Sequence, residues 1–131
     1  MRKMIPQKLI DKLVARLERE EQTKEMLKNI TVTPDSDISA YSINLVSDGE
    51  TYLTITGWAD IESTEACTIE LQGFPSEFLS KLHSVGDYLS TDSRGAGGHV
   101  YVENLSQFGN IIITINEGEI RTVYSTITLS M

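Results

Sequence analysis

The stretch AYSINLVSDGETYLTITGW, Ala40–Trp58, decides how the chain is read. Apolar and polar residues alternate on both sides of an Asp-Gly pair. Tyr41, Ile43 and Leu45 fall on one face of a first strand, and Leu53 and Ile55 fall on one face of a return strand. A period of two is the strand period, because successive side chains of an extended chain point to opposite faces. Asp48-Gly49 is a strong turn signal, since a type I′ turn needs positive φ at both central positions. The spacing predicts a β-hairpin closed by a two-residue turn at Asp48-Gly49.

The alternation recurs downstream. STEACTIELQG puts Cys67, Ile69 and Leu71 on one face, and Gly73 is expected to end that strand. GHVYVENL carries Val100 and Val102. In GNIIITIN, Ile111, Ile113 and Ile115 line one face while Ile112 and Thr114 line the other. Apolar residues on both faces predict a central strand. EGEIRTVYSTITLSM has the Thr and aromatic content of a further strand. About seven or eight short antiparallel strands, separated by Gly, Asp, Asn and Ser, predict a mainly β fold. The spacing fits a β-sandwich or jelly-roll-like head over residues 31–131. Between two of these strands lies GFPSEFLSKL, Gly73–Leu82. Pro75 and Ser76 are expected to turn the chain there. Phe74, Phe78, Leu79 and Leu82 are then expected to cover an open end of the sandwich.

Upstream the period changes. After Pro6, which suits a first helical turn, Leu9, Ile10, Leu13, Val14 and Leu17 recur at three- and four-residue spacing. They make one apolar stripe on a helix of roughly residues 6–28. As a heptad seam it is short: Glu20 and Lys24 stand where apolar residues would continue it, and Leu27 and Ile30 resume it. A helix with two apolar heptads is marginal alone. Residues 1–30 therefore read as an amphipathic helix for oligomerisation or docking, through Leu9, Ile10, Leu13 and Leu17.

The charge follows the same division. The 131 residues carry a net charge of −8. Residues 1–30 hold eight Lys/Arg against five Asp/Glu, while residues 31–131 hold three against fourteen. An acidic body repels phosphate backbones, so a nucleic-acid partner is not expected. No segment approaches the ~20 apolar residues of a membrane span, and the N-terminal stretch lacks the apolar core of a signal peptide. The chain is expected to be made in the cytoplasm with no membrane partner.

Motifs for catalysis are sparse. His83 and His99 are the only histidines and, with Cys67, form no pair at metal-ligand spacing. PDSDIS lacks the spaced acids and glycine of an EF-hand loop. No Gly-x-Ser-x-Gly elbow is present. The sequence is read as non-enzymatic, with no metal and no cofactor. For ligand binding, the Gly-rich stretch DSRGAGGHVYVEN gathers Asp92, Arg94, His99 and Tyr101. That mix of aromatic and hydrogen-bonding groups suits sugar recognition. Trp58, the single tryptophan, is a candidate stacking platform.

From Trp58 onward the order of pieces resembles the heads of phage receptor-binding proteins and tail-fibre tips. The carrying segments are CTIELQGFPSEF, the loop Gly86–Gly98, GNIIITI and STITLSM. The layout is most similar to baseplate receptor-binding proteins of phages of lactic-acid bacteria, with a helical region before a β-rich head. The resemblance implies a virion structural protein located in the phage particle. It also implies a homotrimer beside other virion proteins that attaches to a host surface, for instance through bacterial saccharide. No position matches a binding motif of that family, so no saccharide-contacting residue is carried over. Two other readings compete with it. One is a decoration or scaffold protein docked through its helix, and the other is a small acidic protein-binding module.

Overall fold

A computed structural model of the chain describes residues 5–83 and 98–131. It is mainly β, with two antiparallel sheets in a sandwich-like arrangement and a helix before them. The N-terminal helix α1 spans Gln7–Lys28. The strands are β1 (Thr31–Pro34), β2 (Ile38–Ser47), β3 (Tyr52–Ile61), β4 (Cys67–Pro75), β5 (Gly98–Asn104), β6 (Phe108–Ile115) and β7 (Arg121–Ser130). A one-turn helix, α2 (Ser76–Leu79), follows β4. One sheet runs β1-β4-β6-β5 and the other β2-β3-β7.

The alternation fixes which side of each strand is inside. Leu53, Ile55 and Ile61 of β3 pack against Ile69 and Leu71 of β4 and Ile111 and Ile113 of β6, all buried. Each such side chain contributes roughly 1.5–3 kcal/mol when it leaves water completely. β6 is interior to its sheet, as its two-sided apolar pattern predicts, and Ile112 on its outer face is also buried. Pro34 closes β1, an edge strand, where a missing N–H breaks no ladder.

Two expectations are corrected. The β2–β3 hairpin is closed by four residues, Asp48–Thr51, and not by a two-residue turn. Gly49 takes φ +79. The Asp48 carboxylate accepts hydrogen bonds from the backbone N–H of Glu50 (2.9 Å), Thr51 (2.8 Å) and Tyr52 (3.3 Å), and from the Thr51 hydroxyl. A side chain that satisfies three turn amides supports a wider loop than the Asp-Gly pair alone implies. The second correction is at Gly73, which does not end β4. It is the bulge within it, at φ +98, where the register with β6 shifts between Gln72 and Phe74. The extra residue reverses the parity of the strand. Cys67, Ile69 and Leu71 point inward before it, and Phe74 points inward after it with no exposure.

Pro75 then starts α2 at φ −58. Phe78 and Leu79 are buried, and the Phe74 and Phe78 rings stack with centroids 5.8 Å apart at 11°. The Ser76 N–H donates to the Gln107 carbonyl (2.9 Å) and its hydroxyl to the Leu105 carbonyl (2.8 Å). These bonds fasten the plug to the β5–β6 turn.

The two halves of α1 differ. Met26, Leu27 and the following Ile30 pack against the core. Thr23 is buried, donates to the Arg19 carbonyl (2.7 Å), and lies against Gly49, where any side chain would collide with it. Arg19 pairs with Glu50 at 2.8 Å. From Ile5 to Glu18, by contrast, every residue is exposed. We refer to these parts as the root and the arm.

Candidate functional site

Three surfaces are candidates. The first is the outer face of the three-stranded sheet. Inward Leu53, Ile55, Ala59 and Ile61 leave Thr54, Thr56, Trp58 and Asp60 of β3 on the outside. Register places Ser42 and Tyr124 on either side of Trp58, and Asn44 and Thr126 on either side of Thr56. Thr54 and Thr128 share a hydrogen bond of 3.1 Å, and the Thr122 hydroxyl donates to Asp60 at 2.5 Å. Trp58 is half-buried and Tyr124 is 52% exposed. The result is a row of two aromatics on a surface of hydroxyl, amide and carboxylate groups. Such a surface can stack on an apolar ring face and hydrogen-bond its edge.

Behind this face β2 and β3 approach closely. A side chain at Gly57 would collide with the Ser42 carbonyl. Beneath lies a cavity of about 30 Å3 between the sheets, lined by Gly57, Ile43, Ile113 and Ser125 among others. It is roughly the size of one water. The buried Ser125 hydroxyl has no hydrogen-bond partner among the described residues.

The second surface is the outer face of the four-stranded sheet. Tyr101 lies across β6 from Glu70, with Ile112 between them, and His99 lies beside Thr114. Tyr101 is 47% exposed. The Gln72 amide donates to Glu70 (3.2 Å) and its oxygen accepts from Thr33 (2.9 Å). Phe108 and Leu105 are exposed near the β5–β6 turn. The sequence-predicted ligand residues are therefore not one site. Trp58 faces out from one sheet, while His99 and Tyr101 face out from the other. Asp92 and Arg94 lie outside the described residues.

The third is a groove of about 840 Å3 between α1 and the edge of the sandwich. Its strand wall includes Ile43, Leu45, Val46 and Tyr52, and its helical wall includes Leu17, Glu20, Glu21 and Lys24. The polar interruption of the heptad seam is thus the groove's helical wall. Leu9, Ile10 and Leu13 lie further along the arm, exposed to solvent.

Electrostatics distinguish Asp48, at the groove, and Cys67, in the core. Burial raises the Asp48 pKa, but the bonds from Thr51, Glu50 and Tyr52 outweigh that and hold the carboxyl well below the usual carboxylate range. Burial pushes the Cys67 thiol up, the Asp35 carboxylate adds to this, and Arg121 opposes it. A thiol held protonated and 1% exposed is a poor nucleophile. Arg121 itself is buried and donates to the Asn116 carbonyl (2.8 Å) and the Glu119 carbonyl, bracing the β6–β7 connection. Among the described residues no three His, Cys, Asp or Glu side chains are gathered to hold a metal ion.

Sequence reasoning missed Tyr124 as the neighbour of Trp58. Inward Val123, Ile127 and Leu129 already place Tyr124 on the outer face, but only the β3–β7 register sets it beside Trp58. It also missed the contact between Thr23 and Gly49, for which the sequence carries no periodic signal. Comparison with protein-family models, with curated proteins and with solved structures finds no match to this chain.

Proposed function

We propose that this is a phage virion structural protein whose β head attaches to a bacterial surface through saccharide, displayed as a homotrimer on its helical region. The observation that carries the reading is the Ser42–Trp58–Tyr124 row on the outer face of the three-stranded sheet, flanked by Asn44, Thr56 and Thr126. Pyranose rings offer an apolar face for an aromatic and an edge of hydroxyls for Asn, Thr and Asp. Sheet strands hold these groups in fixed positions, which limits the side-chain ordering that binding otherwise costs. Multivalent display raises the avidity of a weak single site.

The test is binding to immobilised cell-wall polysaccharides, followed by Trp58→Ala and Tyr124→Ala. Each substitution is expected to weaken binding by about tenfold or more, in line with lost aromatic packing and its neighbouring hydrogen bonds. Undiminished binding in both variants rejects this face as the site. A second reading is favoured by the arm, where Leu9, Ile10, Leu13, Val14 and Leu17 form a helical face left exposed by the described residues. In that reading the chain decorates a particle, docks through α1, and binds no saccharide at any valency.

A further inference from the structure

Two apolar surfaces of this chain meet at Leu17. One is the arm, where Leu9, Ile10, Leu13, Val14 and Leu17 are between 38% and 64% exposed. A helical arm of about three turns is marginal in water, so its stripe favours a cover. The other is the groove between α1 and β2, with Ile43, Leu45, Val46 and Tyr52 on its strand wall. The arm cannot fill its own groove, because arm and groove wall belong to one unbroken helix, Gln7–Lys28.

Charge indicates the occupant. Residues 1–16 hold five Lys/Arg and one Asp, whereas residues 31–131 carry eleven net negative charges. Lys8, Lys12 and Arg16 recur every four residues, forming one ridge beside the apolar stripe. The groove presents Glu20, Glu21 and Asp48 together with Lys24 and Lys28, a lining that is net negative by one charge, on a body that is strongly acidic. Arg16 also pairs with Glu20 of its own helix at 3.1 Å, but both side chains are open to solvent and such pairs are weak. A second copy of the chain supplies one arm and one groove in equal number.

We propose that the arm of one copy seats its Leu9/Leu13/Leu17 stripe in the α1–β2 groove of a second copy, with Lys8, Lys12 and Arg16 over the acidic side chains there. The contact joins two different patches, so two copies can exchange arms about a twofold axis, or each arm can pass on to a further copy in a heterologous contact. Such contacts close into rings where the rotation allows, which accommodates three copies. The inference rests on the self-assembly proposed above and names its interface.

Co-expression of a Leu13→Cys chain and a Val46→Cys chain under separate tags, followed by mild oxidation, tests it. Both positions are exposed, at 49% and 46%, and the 1% exposed Cys67 stays out of reach of the oxidant. A disulfide joining position 13 of one chain to position 46 of the other is expected. Adding Lys12→Glu and Arg16→Glu to the first chain should lower its yield by about tenfold. Position 13 cross-linked only to position 13 means that arms pack on arms, which overturns the proposal. An oligomer in sedimentation that forms neither cross-link overturns the docking mode and leaves the assembly standing. A monomer overturns both, while saccharide binding is read separately.

Discussion

Among the described residues two helical segments carry apolar side chains, and they have opposite environments. α2 is four residues long, yet Phe78 and Leu79 within it are buried against Phe74. The arm of α1 is longer and more regular, yet its whole apolar stripe faces solvent. Helical periodicity therefore does not tell which segment belongs to the core. α2 is held by what surrounds it: a proline that sets its start, a bulge that turns Phe74 inward, and two bonds from Ser76 to the neighbouring turn. The arm shares only the proline, since Pro6 precedes it at φ −58; among the described residues it has neither the bulge nor bonds to a neighbouring turn. Its root is held, and the last anchors are Arg19 on Glu50 and Thr23 on Gly49.

The strongest test of that contrast is a pair of truncations. Phe78→Ala should lower stability by about 3–5 kcal/mol, since it empties a packed position and unstacks Phe74. Leu13→Ala should change it by less than about 0.5 kcal/mol at a concentration where the chain is dissociated. Denaturant unfolding of both variants measures this, and equal losses would erase the distinction between plug and arm.

The boundary between root and arm is tested at Gly49. Gly49→Ala imposes a side chain at φ +79 and drives it into Thr23. It should cost about 1–3 kcal/mol, and helical amide protons of the root should exchange faster. Protection of the root that stays unchanged would mean that the hairpin does not anchor it. Thr23→Ala in the same chain should recover part of the loss by removing the colliding hydroxyl.

An effect smaller than those at Phe78 and Gly49 belongs to Asp48. Its folded pKa lies below its unfolded value, so the stability it contributes is whole above the ordinary carboxylate range near pH 4. That stability is lost as the pH falls through the folded pKa. Asp48→Asn should remove this pH dependence and cost about 1 kcal/mol at neutral pH. Melting temperatures of parent and variant from pH 7 down to acid should converge at the acid end. Curves that stay parallel would take the hairpin turn out of the pH response. Cys67, with its thiol pushed up and buried, should remain unmodified by thiol reagents in the native state and serves as an internal control for folding.

Much of the fold was legible from short-range pattern. Period-two runs located Leu53, Ile55, Ile69, Leu71, Ile111 and Ile113 on the inner faces, because a strand has only two sides. The two-sided run Ile111–Ile115 marked an interior strand. Turn chemistry was legible in kind but not in length, since Asp48 could close a two-residue or a four-residue hairpin. Bulges were not legible. Gly73 looked like a strand end, and only pairing with β6 shows that the strand continues and reverses its parity.

The candidate site was legible only in part, for the same reason. Trp58 stood out as the sole tryptophan, and its position on an outer face follows from its own strand. Its neighbours do not follow, because Ser42 and Tyr124 are sixteen and sixty-six residues away in sequence. Tyr101 and His99, the other described ligand candidates, lie on the opposite side of the sandwich. By itself the sequence determined the β class, the inward residues, the helix and its stripe, and the contrast between a basic N-terminal segment and an acidic body. These depend on neighbours within a few positions. The tertiary structure decided which outer residues share a surface, that α2 is a plug, and that α1 divides into root and arm. Those depend on register and packing between distant segments, which no local pattern encodes.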